Sequence, residues 1–363
     1  MINIGIIGVG LVGSELISQL AAYASSAPKL SVIALTNSSK QLLSTPAYSP
    51  LDLSTWKHAL QTQGTTANLS VFIDYVSNSP VPAIIIDNTA SQEIASQYPL
   101  FLRKGLHVVT PNKKAFSGAE TLYKEIMEEA KKNKMLVFNE STVGAGLPII
   151  STLKDLIRTG DKINRIEGIF SGTLSYIFNE FSKSGDDGQK FSEIVKVAKK
   201  NGYTEPDPRD DLNGLDVARK VIITGMDLSL DTLPVENIVP EPLRNLATSS
   251  EFLSRLPEFD SHFDNLKQAA KDNDQTLRYV GVIDPIGGES GVKLISLPLS
   301  HPFAALKGSD NIISFTTQRF PNPLIIQGAG AGAAVTAFGI FSDILKIADR
   351  LDPNTDTDTC RLN

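Results

Sequence analysis

The chain opens Ile2-Asn-Ile-Gly-Ile-Ile-Gly-Val-Gly-Leu-Val-Gly-Ser, an apolar strand running straight into Gly8, Gly10 and Gly13. Leu16, Ile17 and Leu20 follow at helical spacing. Strand, spaced glycines and helix together make the dinucleotide-binding fingerprint. The glycines allow a tight turn, a close approach of backbone to pyrophosphate and close helix–strand packing, and the helix N-terminus then faces the phosphates. Gly8, Val9, Gly10, Leu11, Val12 and Gly13 are the candidate cofactor loop. A chain that starts this way is expected to build a parallel, doubly wound sheet of Rossmann type. A tight βα turn with no ligand is the plainer alternative.

The next apolar strand, 30–35, ends in Thr36-Asn-Ser-Ser-Lys40. An NAD-selective site places an acidic side chain there for the ribose hydroxyl, and none is present. Thr36, the neighbouring hydroxyls and Lys40 suit a 2′-phosphate, so NADP is expected to be accepted alongside or ahead of NAD. Lys40 reads equally well as a surface lysine. Residues 41–80 read as helix and loop. Two further apolar strands, 83–86 and 106–109, end in Asp87-Asn88-Thr89-Ala90 and Thr110-Pro-Asn-Lys-Lys-Ala115. Ligands of open parallel sheets lie beyond the carboxyl ends of the strands, which puts both polar clusters beside the cofactor. Residues 120–132 form a charged amphipathic outer helix. A strand at 136–139 then leads into Glu140-Ser-Thr-Val-Gly-Ala-Gly-Leu-Pro148, a glycine turn whose carbonyls are able to face inward.

Near residue 150 the pattern changes. A helix over 149–158 precedes the apolar–polar alternation of 163–170, a half-buried strand, which ends in Ser171-Gly172-Thr173. After an amphipathic helix over 192–200 comes Tyr-Thr-Glu-Pro-Asp-Pro-Arg-Asp-Asp-Leu-Asn-Gly-Leu-Asp-Val-Ala-Arg-Lys, residues 203–220. Pro206 and Pro208 stiffen it and push the preceding residues into extended conformations. Asp210 or Asp211 is placed to cap a helix. On that helix Leu215, Ala218 and Ile222 form an apolar stripe, while Asp216 and Lys220 are neighbours four residues apart. By spacing alone this is either an acidic helix start with a surface ion pair or a site. Residues 227–275 are helical and broken by prolines. Strands are expected at 276–283, 292–297 and 312–317, forming an antiparallel sheet and a surface for a homodimer. The run Leu324-Ile-Ile-Gln-Gly-Ala-Gly-Ala-Gly-Ala-Ala precedes a helix carrying Ile340, Ile344 and Ile347, expected to return to the first domain. The fold class is thus α/β, with a second α+β catalytic and dimerisation domain. The boundaries fall at 1–149, 150–325, 326–351 for the returning segment and 352–363 for a disordered tail.

Composition narrows the function. A net charge of -6 disfavours a nucleic-acid surface and gives no signal for an anionic membrane. No apolar run reaches about 18 residues, and no signal-peptide pattern opens the chain. The single cysteine, Cys360, excludes an internal disulfide, and the four histidines show no ligand spacing. A reducing cytoplasmic setting and a small-molecule substrate fit best.

The 203–220 segment resembles the substrate-binding signature of the homoserine dehydrogenases nearly residue for residue. The glycine fingerprint, the Asn88-Thr89 and Thr110-Pro-Asn-Lys-Lys turns, the 140–148 turn and Ser171-Gly-Thr resemble the same family in the same order. The likeness runs from Ile2 to about Leu351 and is nearest to the single-function fungal type. It implies reversible hydride transfer between L-aspartate 4-semialdehyde and L-homoserine, with NADP or NAD, in the branch leading to threonine, methionine and isoleucine. Lys220 is implied as the proton carrier, oriented by Asp216, with Lys113 a second candidate, although Lys114 stands beside it. Glu205 and Asp211, with Gly172 and Thr173, are implied at the amino-acid substrate. Asn88, Thr89, Lys113 and Gly332 are implied at the cofactor. Glu140 and the carbonyls of Val143, Ala145 and Leu147 are implied as ligands of a structural sodium or potassium ion, for which oxygen-only ligation is suited. The ligand-sensing regulatory domain of many bacterial members is missing from the pattern. An aldehyde dehydrogenase of the acyl-phosphate type would need a thiolate nucleophile, which Cys360 in a polar tail serves poorly. A coenzyme-binding module without turnover is the non-catalytic rival, and the Lys220, Asp216 and Glu205 set argues against it.

Overall fold

The computed structural model describes residues 1–23, 30–183, 189–225 and 228–351. The tail at 352–363, with Cys360, lies outside them. The chain forms two compact units, Met1–Gly146 with the segment from Ala331 onward, and Leu147–Gly330.

The first unit holds a seven-stranded sheet. Its strands are β1 (Ile2–Ile7), β2 (Leu30–Thr36), β3 (Lys40–Leu43), β4 (Thr65–Thr66), β5 (Ala83–Asp87), β6 (Leu106–Val109) and β7 (Val137–Phe138), in the order β4-β3-β2-β1-β5-β6-β7. β2, β1, β5, β6 and β7 are parallel. β1 and β5 are buried at every position and read as mostly apolar runs, as strands covered on both faces do, with Asn3 inside the one and Asp87 ending the other. The strand order reverses between β1 and β5, so their carboxyl ends open a crevice at the switch point. The expectation of helix and loop over 41–80 needs correction. Lys40–Leu43 pairs antiparallel with β2, and Thr65–Thr66 pairs antiparallel with Lys40–Leu43 in turn; strands so short and polar carry almost no periodicity.

Ile340, Ile344 and Ile347, all fully buried, pack in one cluster with Leu16, Ile17 and Leu20 of the first helix, Leu11–Tyr23. They belong to the closing helix Ala333–Leu351. Each aliphatic side chain buried there contributes about 1.5–3 kcal/mol. His107 in β6 is 3% exposed, and its Nδ1 accepts a bond of 2.9 Å from the Leu136 N–H. Burial pulls its pKa down to about 4, so it is neutral in the folded chain.

The second unit is built on an antiparallel sheet of β8 (Ile163–Ile169), β9 (Gln275–Ile283), β10 (Gly291–Pro298), β11 (Asp310–Thr317) and β12 (Leu324–Ala329), ordered β10-β9-β8-β11-β12. The helices Gly172–Phe181, Leu215–Thr224 and Asp260–Lys271 pack against β9. Arg278, 2% exposed, sends its guanidinium to the carbonyls of Phe178, Ser182, Phe303 and Ala304, so no donor of this buried cation relies on a carboxylate. No helix among the described residues is long and apolar enough to cross a membrane.

Two expectations for the 203–220 segment fail. Neither Asp210 nor Asp211 caps a helix: the turn Arg209–Leu212 starts from Pro208, and the helix Leu215–Thr224 starts from Gly214 at φ +78°, both without a side-chain cap. Asp211 is instead drawn into a tertiary network described below. Leu215 is 46% exposed and leaves the apolar stripe, which Val217, Ala218, Val221 and Ile222 form instead.

Candidate functional site

In the first unit the loop after β1 turns at Gly8, whose φ of +89° favours glycine. A Cβ at Gly13 would overlap the Gly8 carbonyl oxygen, so this position holds the helix start tight against the strand end. At Gly10 a Cβ would meet nothing within 4 Å. The loop is therefore packed on its inner side and open above Gly10, the cradle a pyrophosphate needs. Beside it, at the end of β5, stands the half-buried Asn88, whose amide nitrogen and oxygen are both shut from solvent and lack a partner among the described residues. A buried amide with neither end bonded is costly, and a polar group lying on the glycine loop satisfies it. These residues fit a bound dinucleotide.

A buried network that the sequence does not announce lies under this loop. Asp87 is fully buried and spends both carboxylate oxygens. Oδ1 accepts from the Thr89 N–H at 2.8 Å, while Oδ2 accepts from the Tyr98 hydroxyl at 2.6 Å and the Asn112 amide at 3.0 Å. The Thr110 hydroxyl donates to the Asp87 carbonyl at 2.8 Å. One carboxylate thus ties the Thr89 turn to the turn carrying Lys113. The only hint in the sequence is an acidic residue ending an otherwise apolar strand. Lys113 and Lys114 are both half-buried at the start of the short helix Lys114–Ser117.

At the end of β2, the Asn37 carboxamide oxygen accepts from Ser39 and Lys40 backbone N–H groups and forms a closed turn. The buried Thr36 hydroxyl lies 3.1 Å from the Lys40 carbonyl. The Lys40 ammonium donates to the Gln61 carbonyl, near the end of the helix Trp56–Thr62. The position therefore has a local structural job whatever it does for a phosphate.

The turn after β7 begins with Glu140, 5% exposed, and turns at Gly144 (φ +73°) and Ala145 (φ +55°). The Glu140 N–H donates to Asp343 of the closing helix at 2.9 Å. Lys346, from the same helix, stands 3.0 Å from Asp343 and 3.4 Å from Glu140. Burial opposes the Lys346 charge, but the two carboxylates outweigh it and raise its pKa. Glu140 thus has a protein cation beside it. At the start of the closing helix, Gly332 has φ +118°.

In the second unit Lys220 is 8% exposed. Its ammonium donates to the Asp216 carboxylate and to the Phe170 carbonyl, each at 2.7 Å. This is no surface ion pair: the lysine is buried and aimed at the end of β8, while Asp216 remains half-buried. Thr173, 8% exposed, follows Ser171, whose hydroxyl caps the helix Gly172–Phe181 by accepting from Leu174 N–H. A Cβ on Gly172 would stand 3.0 Å from the Ser309 carbonyl oxygen. The Thr173 hydroxyl has two acceptors in reach, the Tyr203 carbonyl at 2.6 Å and Asp211 Oδ1 at 2.9 Å. Asp211 Oδ2 accepts from the Glu205 N–H at 2.8 Å. Burial first, then the charges of Glu205 and Asp216, push the Asp211 carboxyl above its ordinary pKa. Glu205 itself is exposed and is held through its backbone N–H. Asp207 is clamped by Arg209, whose Nη1 also donates to the Leu246 carbonyl at 2.7 Å. The structure therefore brings Thr173, Glu205 and Asp211 into one bonded set and gives Lys220 two oriented acceptors.

Comparison with known proteins follows the same division. The homoserine dehydrogenase model matches residues 148–345, and the homoserine dehydrogenase NAD-binding-domain model matches residues 8–140. The homoserine dehydrogenase of Emericella nidulans is 50% identical over 367 residues, covering 96% of this chain and 99% of its own. Among solved structures, a Candida auris protein of unknown function is similar at a TM-score of 0.91 and 46% identity, over 96% of this chain and 98% of that one. A hyperthermophilic archaeal homoserine dehydrogenase in complex with NADPH is similar at a TM-score of 0.72 and 26% identity, over 98% and 99%.

Proposed function

The chain belongs to the homoserine dehydrogenase family, whose members are NAD(P)-binding oxidoreductases, and on that premise we propose how its own residues carry hydride transfer between L-aspartate 4-semialdehyde and L-homoserine. The bound nicotinamide supplies the hydride in one direction and accepts it in the other. Lys220 handles the proton. A carbonyl that receives hydride develops alkoxide charge, and an ammonium beside it donates a proton as that charge forms. In the reverse direction the neutral amine takes the alcohol proton, so oxidation quickens as the pH rises. The observation that supports this role is the buried Lys220 ammonium, aimed by Asp216 and by the Phe170 carbonyl at 2.7 Å each. Asp216 orients the lysine and also favours its charged form.

Glu205 pairs with the ammonium group of the amino-acid substrate, and an exposed carboxylate on a pinned backbone suits that task. Asp211 and Thr173 hold the Glu205 segment and position the polar end of the substrate, with Gly172 beside them. Lys113 is the second contact for substrate or proton. Gly8 to Gly13, Asn88, Thr89 and Gly332 receive the dinucleotide. NADP is accepted, because no acidic side chain ends β2, and the NADPH complex of the archaeal relative supports this. The turn from Glu140 to Leu147 is the candidate for a structural sodium or potassium ion, and the sheet of the second unit for the contact of a cytoplasmic homodimer.

The test is the absorbance of reduced nicotinamide with L-homoserine and, separately, NADP and NAD at alkaline pH. The signal is expected with homoserine and not with L-serine or L-threonine. The specificity constant for NADP is expected to equal or exceed that for NAD; a strong NAD preference would reject the coenzyme reading and leave the reaction standing.

A further inference from the structure

The Phe170 carbonyl that receives the Lys220 ammonium has a second donor. Asn311 Nδ2 lies 3.1 Å from the same oxygen. In the ladder of β8 and β11, Ile312 pairs with Ile169, so Asn311 and Phe170 are the next residues outward on the two strands. Asn311 is fully buried, and its other amide atom, Oδ1, has no partner among the described residues. An apolar side chain would suit such a strand position better, because a buried oxygen without a donor is unfavourable. The amide has a second sign of purpose. At Gly330, in the small-residue run after β12, a Cβ would overlap the Asn311 carboxamide. A second position, Gly330, is thus given over to the Asn311 side chain, whose amide donates to the oxygen that holds the lysine.

We propose that Asn311 is a positioning residue for Lys220, acting through the Phe170 carbonyl that they share. The oxygen has two lone pairs; the amide occupies one and the ammonium the other, which fixes the direction of the carbonyl and of the lysine. The amide N–H also sets the positive end of its dipole beside the ammonium and weakens the pull of the carbonyl on it. Asp216 favours the charged lysine, and Asn311 opposes that hold, leaving the amine easier to expose for taking the alcohol proton. The inference rests on the reading of Lys220 as the proton carrier.

Other titratable groups lie on the helix of the lysine and on the elements packed against it. Its own helix carries Asp216 and Arg219, and the neighbouring turn carries Arg209, which is clamped on Asp207, with Asp210 and Asp211. The strands packed against the helix bring Tyr279, whose hydroxyl donates to the Glu236 carbonyl, Arg278, spent on carbonyls, and Lys293, which pairs with Glu289. A change at residue 311 or 330 alters none of them chemically.

The experiment is the pH dependence of kcat for homoserine oxidation in the wild type, Asn311→Leu, Gly330→Ala and Lys220→Ala. With the amide removed, or pushed aside by the Gly330→Ala methyl, the activating limb is expected to move to higher pH by roughly half a unit to one unit, which is about a 3- to 10-fold lower kcat below the limb. The KM values are expected to change less than kcat. A loss of packing alone lowers the melting temperature and does not move the limb. If Asn311→Leu is not recovered folded, Asn311→Ser removes the same amide and is expected to give the same shift. An unmoved or acid-shifted limb in the folded Asn311 variant overturns the inference and leaves Lys220 in its role. A wild-type limb retained in the residual activity of Lys220→Ala overturns the Lys220 reading, and the inference with it.

Discussion

A lysine at an exposed helix start is an ordinary surface residue, and Lys220 differs from one through burial and through two acceptors at 2.7 Å. Lys220→Ala is expected to keep the fold and coenzyme binding while kcat falls by about 10²–10⁴-fold, the usual worth of a positioned proton donor. Steady-state kinetics beside a coenzyme-binding titration checks this, and near-wild-type turnover would remove Lys220 from the mechanism. In the proposed role Glu205 meets the substrate ammonium in the ground state and the transition state alike, so Glu205→Gln is expected chiefly to raise the KM for homoserine. Both residues were legible because they sit in one stretch of chain, where the proline-stiffened lead-in and the four-residue spacing of Asp216 and Lys220 can be read directly. Asn311 and Phe170 were not legible. They stand 141 residues apart, one in β11 and the other just past β8, and only the antiparallel register of those strands makes them neighbours. Asp211 shows the converse error. A short acidic side chain before a helix suggests a cap, but Gly214 starts the helix, and tertiary bonds to Glu205 and Thr173 claim the carboxylate.

At the scale of elements, the strands buried on both faces are the easiest to recognise, since 83–86 and 106–109 are unbroken apolar runs apart from His107. That histidine makes β6 sensitive to acid. Its pKa in the folded chain is pulled down to about 4 from an ordinary 6.5 by burial. The unfolded chain therefore binds a proton that the folded one refuses at intermediate pH. Stability is unaffected above pH 6.5, falls as pH drops from 6.5 towards 4, and levels below that, with a total loss of about 3 kcal/mol from this group. His107→Asn keeps an acceptor for the Leu136 N–H and has nothing to protonate. Denaturant unfolding at pH 7.5, 5.5 and 4.5 is expected to show a flatter decline for the variant, and parallel declines would assign the acid sensitivity to other groups. β3 and β4 escaped the sequence because two to four residues on a sheet edge need no apolar alternation; β3 is held by its ladder to β2, and β4 by its ladder to β3.

For the whole molecule the decisive fact is that the coenzyme-binding unit is discontinuous. Its first helix and its last are separated by the entire second unit, yet they share one core. The sequence marks the apolar face of the closing helix through Ile340, Ile344 and Ile347, but the partner of that face is a matter of topology. Polar contacts complete the fit: Asp343 accepts from the Glu140 N–H, and a Cβ at Gly339 would stand 2.7 Å from the Ala145 carbonyl oxygen. The glycine loop is thus supported by residues of the closing helix, and the unit completes its core only once the second unit has also been made. Ile344 is fully exposed to the test, since its side chain is wholly buried and makes no polar contact of its own. Ile344→Ala leaves a cavity and is expected to cost about 2–5 kcal/mol. The loss should fall on the coenzyme-binding unit, so saturating NADP, which binds the folded form of that unit, is expected to recover part of the lost melting temperature. Thermal unfolding with and without NADP measures both. An unchanged melting temperature in Ile344→Ala would mean that the closing helix is not part of the cooperative core of this unit, and the first half of the chain would then have to hold its glycine loop in place by itself.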